Sequence, residues 1–385
     1  MFEQARGRWA AGETALAHQL RLEALEILER GEPGKDLLDA YGSAALNSAI
    51  ADRSDETQVL LEKGQSLSDA LGEPSTSLMQ ARATFLWHRG DPACVEVQEA
   101  AREVALEIGV ARFASVATNN LADAKLWFEG ARPAFELWEE AIEFSRTRGL
   151  EGLVVWQRGE RVRAQYHLGR WDDVVAEGGE VMRWLDERGA RGQLHVFVRV
   201  PLAAVAVHRG SIARAEADVE QLLTTARESS DPQVLVPALE VAALVASAAG
   251  RPDVALEHVR ALEDSTQASP VWRSACLGWP VRLATACGER DLAEAFLDGS
   301  EHDSAWDRAA RPAARGVLAE AGARLDDAAA FYREARERWA EYGSVVEQAY
   351  ALLGLARVVG DAEAALEGAA IFEGLGARPV SELAA

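Results

Sequence analysis

Eight glycines recur along this chain at nearly constant spacing, and no other feature constrains its fold as strongly. Gly90, Gly130, Gly169, Gly210, Gly250, Gly288, Gly322 and Gly360 are separated by 40, 39, 41, 40, 38, 34 and 38 residues. Each closes a stretch with apolar residues at helical spacing and precedes a turn residue and a second such stretch, as in AQYHLGRWDD, VASAAGRPDV and ATACGERDLA. Val154, Trp156, Val162 and Tyr166 mark one such face before Gly169. Helices commonly end on a residue with positive φ, which glycine adopts at almost no cost. Pro92, Pro133 and Pro252 follow two or three residues later, where a starting helix has no use for their missing N–H. Each unit therefore predicts an antiparallel helical hairpin.

Hairpins repeated at a fixed period bury the faces that each alone would expose. Five residues past the glycine stand Ala215, Ala255, Ala293 and Ala365, small enough for close approach of the two helices. The expected fold is all-α: a right-handed superhelix of about nine hairpins over residues 36 to 375, preceded by an N-terminal capping region (1–35) with a helix near 12 to 30, and followed by a short tail (376–385).

Certain segments resemble a known family. Gly169-Arg170-Trp171-Asp172-Asp173-Val174-Val175 and Gly250-Arg251-Pro252-Asp253-Val254-Ala255-Leu256 resemble the inter-helix turn and second helix of tetratricopeptide (TPR) repeats, at the longer period of MalT-like regulators. Thr118-Asn119-Asn120-Leu121-Ala122, with Glu129-Gly130, the run Leu137 to Phe144 and Arg148-Gly149-Leu150, is similar to the C-terminal repeat region of actinobacterial multidomain regulators. In those proteins a STAND-type ATPase is joined to a LuxR-type DNA-binding domain or a class III nucleotide cyclase. The resemblance implies a non-catalytic sensor or regulatory scaffold of a bacterial signal-transduction or transcription regulator. Its partner is then a protein or peptide, among them an ATPase, cyclase or DNA-binding output domain, with a small-molecule inducer as a further ligand class.

Composition narrows the function classes. Of the 385 residues, 40 are Lys or Arg and 62 Asp or Glu, for a net charge of −22. Such a balance opposes direct nucleic-acid binding and docking to an anionic membrane, both of which need cations. The three cysteines, Cys94, Cys276 and Cys287, form no CxxC pair, and no apolar signal core opens the chain, so the expected compartment is the cytoplasm. No GxxxxGK[ST] phosphate loop and no HxxxH metal spacing occur, and no cofactor is expected.

Four candidate features remain. Six arginines (146, 148, 158, 161, 163, 170) face only Glu151 and Glu160 between residues 146 and 170, an island of positive charge that either contacts an anionic partner or is matched by neighbouring repeats. Counting back from the glycines, the tenth position holds Gln80, Asn120, Gly159, Val200 and Glu240, and the sixth Thr84, Ala124, Arg163, Ala204, Leu244 and Arg282. In TPR arrays these registers line the concave groove, and the Lys/Asn set that clamps a C-terminal carboxylate is missing. The candidate partner-binding residues are Gln80, Thr84, Asn120, Arg158, Arg161, Arg163 and His167. His88, His167 and His208 share one register two residues before their glycines, which points either to a row that binds an anion or senses pH or to cations favoured by the helix C-terminal dipole. Asp172-Asp173 with Glu177 match the DDxxxE spacing of terpene cyclases, leaving a helical-toroid enzyme as one alternative and a purely structural spacer as another. Of the eleven tryptophans, Trp87, Trp127, Trp138 and Trp171 flank hairpin turns and are expected to fill repeat interfaces.

Overall fold

A computed structural model describes residues 1–10, 13–190, 192–229, 231–267 and 269–380. Among the described residues there are 21 helices and no strand. Two helices lead, α1 (Phe2–Ala10) and α2 (Thr14–Glu29). Hairpins follow in order: α3 (Lys35–Ile50) with α4 (Ser54–Leu71), α5 (Thr76–His88) with α6 (Ala93–Ile108), α7 (Ala111–Phe128) with α8 (Ala131–Arg146), and α9 (Glu151–His167) with α10 (Trp171–Glu187). The array continues through α11 (Gln193–His208) and α12 (Ile212–Ser229), then α13 (Pro232–Ala248) and α14 (Pro252–Thr266). It ends with α15 (Pro270–Ala275), α16 (Trp279–Ala286) and α17 (Arg290–Ala295), then α18 (Ala305–Ala321) with α19 (Leu325–Tyr342) and α20 (Val345–Val359) with α21 (Ala362–Gly374).

Five of the glycine turns, at Gly90, Gly169, Gly210, Gly250 and Gly288, share one backbone device. The N–H one residue past the glycine reaches back five residues: Asp91 to the Leu86 carbonyl at 3.0 Å, Arg170 to Gln165 at 2.9 Å, Ser211 to Ala206 at 2.8 Å and Arg251 to Ala246 at 2.9 Å. This closure needs a left-handed residue between the two partners. Gly322 departs from the expected pattern: its φ is −85°, and Ala323 holds the left-handed position at φ 56° while Arg324 closes on the Ala319 carbonyl at 2.9 Å. The hydrogen-bonded turn is retained with its register shifted by one, at a backbone cost to alanine of about 1–2 kcal/mol.

A second departure lies just before it. The helix expected ahead of Gly288 is split into α15 and α16 at Leu277-Gly278. Pro280, in the first turn of α16, has no N–H with which to continue the hydrogen-bond ladder from α15, and Gly278 makes the break inexpensive. Pro201, Pro237 and Pro312 lie within continuous helices, none of them with a glycine two residues before it.

First helices face inward and second helices outward, and the superhelix winds tightly enough to touch itself. A Cβ placed on Gly130 would stand 2.6 Å from the Tyr342 carbonyl oxygen, and one on Gly169 2.6 Å from Val345. The Arg378 N–H donates to the His208 carbonyl at 2.9 Å, the Val380 N–H donates to the Tyr350 hydroxyl at 3.0 Å, and Val380 is buried. Hairpins α18/α19 and α20/α21 thus lie across the turn ends of α7 to α11. An indole chain bridges the same gap: Trp87 meets Trp272 at 5.1 Å, Trp127 meets Trp306 at 5.4 Å, and Trp306 meets Trp339 at 5.1 Å. Trp138 and Trp171 are fully buried, whereas Trp87 and Trp127 help to enclose the interior space.

Candidate functional site

The inward faces enclose two neighbouring cavities. The larger, of about 310 Å³, runs beside α5, α7 and α9 and is walled by Thr84, Asn120, Asp123, Glu160 and Arg163, with Gln193 and Gln233 entering from α11 and α13. The smaller, of about 170 Å³, continues towards α13 and α16. Trp127, Arg163, Phe197 and Trp272 border both, so they read as two compartments of one passage.

The polar compartment is rich in amides. Asn120 Nδ2 donates to Gln80 Oε1 at 3.4 Å, Trp138 Nε1 donates to Asn119 Oδ1 at 3.1 Å, and Gln193 donates to Gln233. A primary amide carries two donor hydrogens and a two-lone-pair acceptor, so each keeps capacity beyond these single contacts. Arg163 bonds Asp123 and lies 2.9 Å from Glu160 Oε2, with its guanidinium 4.7 Å from the centre of the Phe197 ring. Burial pushes the Glu160 carboxyl up to about 7, against the pull of Arg163.

The second compartment is aromatic. Trp127, Tyr166, Trp272, Trp279, Trp306 and Tyr342 form much of its wall, with Glu240 and Glu347 as its carboxylates. Glu347 receives a two-pronged bond from Arg282, whose guanidinium lies over the Trp279 ring at 5.2 Å. His167 also lines this compartment, its Nδ1 3.1 Å from the Ser344 hydroxyl.

Of the residues singled out by sequence, Thr84, Asn120 and Arg163 line the polar compartment, Gln80 supports Asn120 from behind, and His167 stands in the aromatic one. Arg158 and Arg161 lie apart from these. Their side chains turn towards α10, where Glu177 accepts from Arg158 Nε at 2.8 Å and from Arg161 Nη2 at 2.8 Å, and Glu180 accepts from Arg158 at 2.6 Å. Arg146 pairs with Glu143 at 2.6 Å and Arg170 with Asp173 at 2.7 Å, so most of the arginine island is matched by its surroundings.

The histidine register behaves differently from a row of C-terminal cations. Burial lowers His88 to about 3 and both His167 and His208 to about 4, so all three rings are neutral near pH 7. They plug into the self-contact of the superhelix: His208 bonds the Ala204 carbonyl at 2.8 Å and the Tyr350 hydroxyl at 3.1 Å. Asp172 and Asp173 stand in the first turn of α10 on the outer surface, paired with Arg209 at 2.7 Å and with Arg170. Among the described residues no His, Cys, Asp and Glu cluster is disposed to hold a metal, and no helix is long and apolar enough to cross a membrane.

Sequence registers pointed to one wall of the passage and missed the other. Trp272, Trp306, Tyr342 and Glu347 arrive from the far end of the chain, and no periodic signal ties them to α7 or α9. Glu240 shares Asn120's register, a signal that was present without being singled out.

No protein-family model matches the chain, and no curated protein does. Among solved structures it is similar to the crystal structure of a Rap protein complexed with competence and sporulation factor. The TM-score is 0.54 at 14% identity, covering 95% of this chain and 98% of that one. The fold is a TPR-like superhelix. At this identity the likeness concerns architecture alone, and it extends over nearly the whole of both chains.

Proposed function

We propose that the chain is a non-catalytic regulatory scaffold that holds an extended peptide, or an extended segment of a protein partner, along its interior passage. The observation that carries this reading is the row of amides, Asn119, Asn120, Gln193 and Gln233, on the polar compartment next to an aromatic one. An extended backbone presents alternating N–H and C=O groups, and side-chain amides can answer either. Indole and phenol walls then accept side chains. The solved complex of the similarly folded Rap protein with competence and sporulation factor supports the same class of role. Occupancy that favours one winding of the superhelix would shift its docking to an output partner, provided the ligand binds the two windings with different affinity. On the resemblance of Thr118 to Ala122 and its neighbours, that output is an ATPase, cyclase or DNA-binding domain of a bacterial cytoplasmic regulator.

Panning a random-peptide display library on the full chain tests the reading. Enriched peptides are expected to bind at least tenfold more weakly to Asn120→Ala and Arg163→Gln, and with unchanged affinity to Arg146→Gln on the outer surface. Peptides that bind all three variants equally, or a library that yields no enrichment, would overturn it.

A further inference from the structure

The charge balance inside the passage is uneven, and the imbalance sits in the aromatic compartment. Arg163, at its border, is held by Asp123 and Glu160, and Arg282 is held by both oxygens of Glu347. Glu240, on α13, makes no hydrogen bond or ion pair with any described residue, yet it lines a cavity whose other walls are mostly indole, phenol and aliphatic groups. A carboxylate in such surroundings without a counter-charge costs several kcal/mol unless something neutralises it. Burial and the nearby Glu347 push Glu240 up to about 8, against the pull of Arg282. With no cation beside it, the carboxyl therefore carries a proton at neutral pH.

We infer that the aromatic compartment is a seat for one alkylammonium group, with Glu240 as its counter-ion and the tryptophan and tyrosine rings as its walls. The inference rests on the proposed ligand-holding passage and specifies what one of its compartments selects. Cations are drawn to ring faces, most strongly to tryptophan, and the attraction grows when the site is desolvated. One of its wall rings already meets a cation in this manner from outside the compartment, since the Arg282 guanidinium lies 5.2 Å from the Trp279 ring centre. The size also fits: a volume of about 170 Å³ resembles the cavity of about 150 Å³ that admits benzene, and exceeds what a trimethylammonium or lysine head needs. Sequence reasoning passed over this site because its rings are contributed by residues scattered between 127 and 342, across several repeats.

The ammonium can belong to a free small amine or to a basic side chain of a bound peptide, and two probes separate these sources. Choline is titrated against its neutral isostere 3,3-dimethyl-1-butanol, with tryptophan fluorescence as readout. In parallel, a lysine-containing peptide from the display selection is compared with its norleucine counterpart. At least one charged probe is expected to bind tenfold or more tightly than its neutral partner, and Glu240→Gln is expected to erase that preference. Choline preference identifies a small-amine seat; preference confined to the lysine peptide identifies a side-chain seat. Glu240→Gln keeps the side chain's shape and removes an unpartnered acid, so its melting temperature should equal or exceed that of the parent, which separates lost binding from lost folding. Absence of charge preference in both pairs, or a preference that survives in Glu240→Gln, overturns the inference. Peptide binding that remains sensitive to Asn120→Ala in that event leaves the scaffold reading standing.

Discussion

Helix α9 presents arginines to two opposite environments within six residues. Arg158 and Arg161, with Gln165, lie on the face turned to α10, where they converge on the buried Glu177. Arg163 and His167 lie about 200° and 240° round the helix from Arg161 and face the passage, as a rotation of about 100° per residue requires. The outward pair is satisfied chiefly inside its own hairpin, with Glu139 of the preceding helix 3.6 Å from Arg161. The inward residues meet groups from other hairpins, Asp123 of the preceding one in the first case and Ser344, near the far end of the chain, in the second. A local excess of positive charge thus says little about function until each cation is assigned a face. In a solenoid the neighbouring helix supplies counter-charges to the outer faces, and only the inner ones remain open to a ligand.

Several substitutions can break or sharpen this contrast. The largest effect should come from Glu177→Ala, which leaves Arg158 with Glu180 alone and strips Arg161 and the Gln165 amide of their short carboxylate bonds at a buried site; urea unfolding is expected to show a loss of about 3–5 kcal/mol. A loss below 1 kcal/mol would mean that the outward face is no buried network.

Next comes the self-contact that encloses the inner face. Gly130 has φ 120° and no room for a Cβ beside the Tyr342 carbonyl, whereas Gly250 has φ 72° and nothing within 4 Å. Gly130→Ala should cost roughly 2–4 kcal/mol, from conformational strain and overpacking together, and Gly250→Ala about 1 kcal/mol. Equal costs would show that the last hairpins do not bear on this turn.

The inner face should also be acid-sensitive through His167. Its folded value is lowered to about 4 by burial, while in the unfolded chain it titrates near 6.5. The unfolded state therefore binds more protons between pH 6.5 and 4, and the contribution of this ring is full above 6.5 and is lost as pH falls through that window. Between pH 7 and pH 5 that amounts to about 2 kcal/mol. Glu160 and Glu240, whose folded values are raised, act in the opposite sense, so the readout is a difference: His167→Phe should lose less stability than the parent between those two pH values, by thermal melts. Parallel curves for the two proteins would exclude the assignment.

A smaller effect is expected on binding, where Arg163→Gln should weaken a selected peptide about tenfold and Arg161→Gln less than twofold. Similar losses for both would erase the distinction between the two faces. The smallest change should follow Asp172→Ala with Asp173→Ala on the outer surface, within about 0.5 kcal/mol of the parent in stability, as is usual for exposed pairs.

Much of this architecture was legible residue by residue. The glycines marked hairpin turns because the left-handed position is a local demand of the backbone, and the registers six and ten before them picked out Thr84, Asn120, Ala124, Arg163, Ala204, Glu240 and Leu244, which all line the passage. Gly322 misled by one residue because alanine can also take the left-handed position when the turn's hydrogen bonds hold it there. The opposite wall was not legible. Trp272, Trp306 and Tyr342 reach the passage only because hairpins beyond α14 wind back over α7 to α11, and their own local pattern is that of ordinary core aromatics.

By itself, the sequence determined the period, the hairpin, the inward face of each first helix and the acidic exterior, since these follow from rotation per residue, turn conformation and charge count over stretches of about 40 residues. The tertiary structure alone decided that the superhelix closes on itself, that Arg158 and Arg161 are ion-paired while Glu240 is not, and that the interior divides into an amide-lined and an aromatic compartment. The physical reason is that closure sums a small rotation at every hairpin interface, and no single repeat encodes that sum.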